Sequence, residues 1–287
     1  MQSSNPVFRR SEGFNGQRST NSYGNDTYNA SGMSYPAYGT PTATAGEPYV
    51  REPRTTRGPM TIDSVVQKTG ATLGVLVVVA ALTWVMTGDL TGVNATTSAS
   101  TLYLLSMVGA FGGFGLSLVN SFKRNVNPAL VLAYAAFEGL FVGAFSKVLG
   151  SMFGQTIVLQ AVLGTVGAFA GTLAAYKFLN IRVTDKFRRF VTAAMLGFVA
   201  VSLLDFVLGF FSADFGFNGL GGMGLISSLI GLGLGVLMLI LDFDYVERGI
   251  AMGLPEQESW RAAFGLTVTL VWIYVELLRI LAILRGD

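Results

Sequence analysis

The chain contains neither cysteine nor histidine. The first absence excludes disulfides, thiolate nucleophiles and thiolate metal sites. The second removes the commonest general base and metal ligand, so hydrolytic or redox chemistry would have to rest on carboxylates. There is no nucleophile elbow, no HExxH and no phosphate-cradling loop either. The chain is therefore expected not to be an enzyme, and nothing in it points to nucleic acid. Charge is also scarce, with charged residues at 13% against 51% hydrophobic. A soluble domain needs a polar skin that this composition cannot supply, which makes an integral membrane protein the expectation.

The first 60 residues are a different polymer from the rest. They are rich in Ser, Asn, Gly, Thr, Tyr and Pro, with Arg9, Arg10, Arg18, Arg51, Arg54 and Arg57 scattered through them and no apolar period. Such a segment buries too little surface to offset its chain entropy and reads as a disordered tail. It lacks the apolar core and cleavage site of a signal peptide. Its tyrosines, Tyr23, Tyr28, Tyr35, Tyr38 and Tyr49, read either as a solvated tail or as a partner-binding array.

Residues 61–287 carry apolar runs long enough to span a bilayer, which takes about 20 residues at 1.5 Å each. Seven are found, at about 71–87, 101–119, 129–149, 157–178, 190–211, 223–243 and 262–284. Backbone polar groups in hydrocarbon must be satisfied within each segment, so an all-α seven-helix transmembrane bundle is the expected fold, with the lipid bilayer as its surroundings. Lys68, Lys123, Arg124, Lys177, Arg182, Lys186, Arg188, Arg189, Arg248 and Arg261 fall on the tail side of the spans, whereas the alternate connections hold Asp89, Asp214 and one cation, Lys147. That bias predicts a cytoplasmic N-terminus and, after seven crossings, an outside C-terminus in the plasma membrane. Arg279 and Arg285 at the far end of the last run leave a re-entrant final segment open, and Lys147 is expected to snorkel from a helix end.

Glycines four apart, Gly109 with Gly113, Gly139 with Gly143, Gly167 with Gly171 and Gly231 with Gly235, predict closely packed helix faces. Against this apolar ground stand Glu138 in the third run, Asp205 in the fifth, Asp242 and Asp244 at the end of the sixth, and Glu276 with Arg279 in the seventh. A carboxylate in the bilayer interior costs roughly 3 kcal/mol on insertion scales, so each is a functional candidate. Glu276 and Arg279 are three apart and can neutralise each other. Asp244, followed by Glu247 and Arg248, reads as a wetted helix end, and Asp205 as a solvated anchor at the far interface. Rise per residue predicts a ladder, with Asp242 near the inner mouth, Glu138 in the middle and Glu276 above. An acidic interior of this kind holds protons or attracts cations, and Asp242 with Glu138 forms a weak candidate calcium site.

Three stretches carry a resemblance: FEGLFVG at Phe137 to Gly143, LDFDYVERG at Leu241 to Gly249, and AFGLTVTLVWIYVELLRILAIL across the seventh run. Together they resemble the Bax inhibitor motif family in its YccA-like bacterial branch, over about 60–284. The tail, with SNPVF near its start, resembles that of actinobacterial members. The resemblance implies a bundle whose last helix is central and wrapped by the other six. It also implies a pH-sensitive calcium leak channel, in which two carboxylates on the sixth and seventh helices share a proton and latch the pore. The first maps onto Asp242. The second maps onto Thr269, which cannot share a carboxylate's proton, so Glu276 or Glu138 substitutes or the pH gate is absent. Transient calcium is the only bound species expected. The alternative is a non-conducting regulator that binds another membrane protein such as a membrane protease.

Overall fold

A computed structural model describes residues 58–286 apart from 89, 91–94 and 180. The tail tyrosines and most of the predicted tail lie outside the described residues. The fold is all-helical, with α1 (Ile62–Met86), α2 (Ala95–Phe122), α3 (Pro128–Phe153), α4 (Thr156–Phe178), α5 (Asp185–Gly209), α6 (Gly222–Ala251) and α7 (Glu258–Gly286). All seven are long and apolar enough to cross a membrane.

Most helices begin before their apolar runs, because polar caps rather than hydropathy set their ends. Thr61 and Ser64 form a reciprocal capping box at α1, each backbone N–H meeting the other's hydroxyl at 3.1 Å. Asn127 accepts the Ala129 N–H at 3.0 Å ahead of Pro128, and Thr184 accepts the Phe187 N–H at 3.2 Å. The last helix starts at Glu258 and runs unbroken to Gly286, which corrects the re-entrant possibility.

α7 is the axis of the bundle. In its most apolar window 67% of residues are buried, against 17% in α1, α2, α4 and α5. It packs directly against α1, α3, α4 and α6, while α2 packs on α3. α5 leans on α6 and reaches α7 through the Phe198 ring, 5.5 Å from Trp272. The wrapping is thus by four helices, with α2 and α5 in an outer layer.

Three of the four glycine pairs sit where helices press together. A Cβ on Gly139 would lie 2.6 Å from the Leu76 carbonyl oxygen, and one on Gly143 2.6 Å from that of Ala80. Gly109 would collide with the Phe141 backbone nitrogen at 2.5 Å. Gly231 and Gly235 bring α6 onto α7, meeting Glu276 and Ile273. Gly167 and Gly171 have open space instead, so that pair corrects the expectation: a period of four does not say which face of a helix is covered.

Candidate functional site

The basic end of the bundle, where α1, α3 and α7 begin, is closed by chain rather than left as an open mouth. Pro59 bridges to Pro255, and the Met60 N–H donates to the Leu254 carbonyl at 2.7 Å. Met60 is 1% exposed and packs with Leu239, Phe243, Ala262 and Leu266 between α6 and α7. The predicted tail is therefore anchored in its last residues.

Above this plug lies Asp242, buried where α6 faces α7. The Thr269 hydroxyl donates to Asp242 Oδ2 at 2.6 Å, and Gly265 leaves room for Oδ1, which a Cβ there would meet at 3.4 Å. The mapping of the helix-seven partner onto Thr269 is thus reflected in the geometry, with a hydroxyl where a second acid was expected. No ion pair reaches Asp242 among the described residues. It lies nine residues before the end of α6, roughly 14 Å along the helix from that end.

The predicted ladder is corrected at this point. Tyr134 stacks edge-on against Phe264 at 4.9 Å and Ser146 meets the Tyr274 hydroxyl at 2.7 Å, so α3 and α7 run in register and Glu138 falls level with Asp242. Its carboxyl, however, lies against α2, where a Cβ on Gly113 would be 3.0 Å from Oε1, and Tyr134 is its hydrogen-bonding neighbour. Glu276 is seven residues beyond Thr269, roughly 10 Å farther along α7. There Arg279 Nη1 donates to Oε2 at 3.1 Å, and Oε1 presses on the bare backbone of Gly231, whose Cβ would be 2.7 Å away. The three acids occupy three compartments. Among the described residues no group of three or more acidic side chains is placed to hold a metal ion.

Asp244 is not a wetted helix end. It is buried between Arg188 Nη2 at 2.7 Å and Arg248 Nε at 2.9 Å, which ties the start of α5 to the end of α6. Asp205 is likewise an acceptor rather than a solvated anchor, taking the N–H groups of Phe215 at 2.9 Å and Asn218 at 2.8 Å from the α5–α6 connection. Arg279 Nη2 donates to the Phe217 and Gly219 carbonyls of that connection at 3.0 and 3.3 Å, folding it over the far end of the α6–α7 seam.

Lys147 does not snorkel. It is buried and donates to the carbonyls of Trp84, at 2.7 Å, and Thr87, capping the end of α1. Arg261, read as a loop cation, is the largest fully buried side chain, donating to Glu258 at 2.8 Å and to the Arg124 carbonyl at 2.9 Å. Tyr245 donates to the same Glu258 at 2.9 Å. A glutamate and arginine three apart at the head of an amphipathic run was the signal for this cluster.

A multi-pass membrane bundle with a central last helix, and with carboxylates buried along that helix's contacts, is the class that fold and site define. The chain belongs to the Bax inhibitor 1 like family, whose model matches residues 5–286. It is also similar to an uncharacterised protein of Chlamydia muridarum, 30% identical over 126 residues, which are 42% of this chain. The match spans about half, 52%, of that relative's length.

Proposed function

We propose that this protein is a pH-sensitive cation leak channel of the plasma membrane, passing calcium or protons, with its N-terminus in the cytoplasm. The observation that carries the reading is Asp242: a buried carboxyl on the α6–α7 seam with a hydroxyl donor and no cation. Burying an unpaired carboxylate is expensive, and a fold that retains one in the bilayer has a use for a group that can take up and release a proton. In this arrangement the seam is shut, by Met60 at one end and by the Glu276–Arg279 pair under the α5–α6 connection at the other. Conduction then requires α6 to part from α7, exposing Asp242 and, beyond it, Glu276 to the ion. Glu138, at the same depth but against α2, is a second proton site rather than a ligand of the same ion.

The test is calcium flux into liposomes holding the purified full chain, measured across pH for wild type and Asp242→Asn. Wild-type flux is expected to vary with pH and the variant to lose that dependence. Equal flux at every pH in both removes Asp242 from the pathway. Thr269 also favours a second reading, a regulator that binds another membrane protein such as a protease without conducting, because a hydroxyl cannot complete a two-acid proton latch. Absence of flux from pure protein, with a membrane partner captured by crosslinking from the tail, would favour that reading.

A further inference from the structure

The cations of the basic end fall into two groups. Lys68 is bound to Glu256 at 2.8 Å, Arg188 and Arg248 to Asp244, and Arg261 to Glu258, so each of these is neutralised inside the protein. The α4–α5 connection is different. From the last turn of α4 through the first turn of α5, residues 177–190 carry five cations and one acid, Asp185, and that acid lies 3.7 Å from Arg188. Lys177, Arg182, Lys186 and Arg189 are all exposed and have no partner among the described residues. Four exposed, unpaired cations over one short stretch make a positive patch that attracts anions.

The neighbourhood says what that is. Phe178, Leu179 and Phe190, interleaved with these cations, are 79%, 73% and 64% exposed. Upstream, α4 turns Leu163, Val166 and Leu173 outward, and downstream α5 turns out Leu196 and Leu203, so both helices present apolar surface to acyl chains right up to the charged connection. Moreover, α4 and α5 each pack on α6 and do not pack along each other among the described residues. The connection crosses the basic end of the apolar surface these two helices present. A soluble acidic partner would match the charge but not the exposed rings. The tail of this chain does not match the charge, since its arginines outnumber its acids.

We propose that the α4–α5 connection is a docking site for anionic phospholipid headgroups, with Lys177, Arg182, Lys186 and Arg189 holding the phosphate and Phe178, Leu179 and Phe190 seated among the upper acyl carbons. Arg188, in the same turn as Lys186 and Arg189, holds Asp244, so an occupied site bears on the α5–α6 latch two residues from Asp242.

The test is native mass spectrometry of the purified full chain in detergent, titrated separately with phosphatidylglycerol, phosphatidylcholine and soluble glycerol phosphate. Wild type is expected to prefer phosphatidylglycerol, and each of the four charges replaced by glutamine should weaken that binding about fivefold. The combined Lys177→Gln, Arg182→Gln, Lys186→Gln and Arg189→Gln variant should bind the two lipids alike, while Lys123→Gln on the α2–α3 connection keeps the preference. Circular dichroism checks the fold of the combined variant, and if it is lost, Arg182→Gln and Lys186→Gln singly carry the test through their fivefold drops. Equal binding of both lipids by wild type, an undiminished preference in the variants, or glycerol phosphate competing as well as the lipid would overturn the proposal.

Discussion

Asp242 is held by a hydroxyl and Glu276 by a guanidinium, and the two acids should respond differently to loss of their partners. Thr269→Val strips Asp242 of its hydroxyl donor while keeping the side-chain volume, and should lower stability by about 1–3 kcal/mol. Arg279→Met leaves a buried carboxylate unpaired and should cost about 3–5 kcal/mol, most of it regained in Glu276→Leu/Arg279→Met because a buried pair contributes little net stability. Thermal unfolding in detergent reads both; a double variant no more stable than Arg279→Met would show that the pair is not isolated. Conversely, Thr269→Asp places a second carboxyl against Asp242, and since two such groups cannot both ionise at close range, calcium flux in that variant should acquire a second pH-dependent step besides the one wild type shows. Flux profiles that superimpose would mean that the residue facing Asp242 does not set the response.

Between elements, the glycines that meet backbone and those that face open space make a controlled comparison. Gly143→Val drives a branched side chain into the Ala80 backbone, 2.6 Å from its carbonyl, and should destabilise by about 1–3 kcal/mol or more. Gly167→Val, with nothing within 4 Å, should change stability by less than about 0.5 kcal/mol. The same contrast marks what could be read from the chain. The spans were legible because bilayer thickness fixes their length, and the Asp242–Thr269 pairing because a motif aligned it. Helix ends were not, since Thr61, Asn127 and Thr184 cap by side-chain bonds that hydropathy ignores. Nor was the reach of long side chains: Lys147 and Arg261 look like interfacial cations until the carbonyls and carboxylate they grip are placed beside them. The ladder of acids misread direction, because depth follows from sequence position while the face a carboxyl turns to follows from neighbours such as Gly113 and Gly231.

For the whole molecule, α7 is fastened at both ends, and under the proposed conduction its long contact with α6 is the part that yields. At the far end Arg285 donates to the Phe153 carbonyl at 3.2 Å and to Thr156 at 2.5 Å, and at the basic end Ser259 meets Ser64 at 2.6 Å. α6 is tied to α5 through Asp244 and to α7 through the Tyr245–Glu258 bond, so under the proposed conduction α5 and α6 move together away from the axis and that bond breaks. The absence of native cysteine allows this to be tested directly. Gly235 and Ile273 face each other across the seam, where a Cβ on the glycine lies 2.8 Å from the isoleucine Cγ1, within reach of a disulfide between two introduced cysteines. Calcium flux through the Gly235→Cys/Ile273→Cys protein in liposomes is expected to stop on oxidation and return on reduction. Undiminished flux through fully crosslinked protein would contradict conduction along the α6–α7 seam.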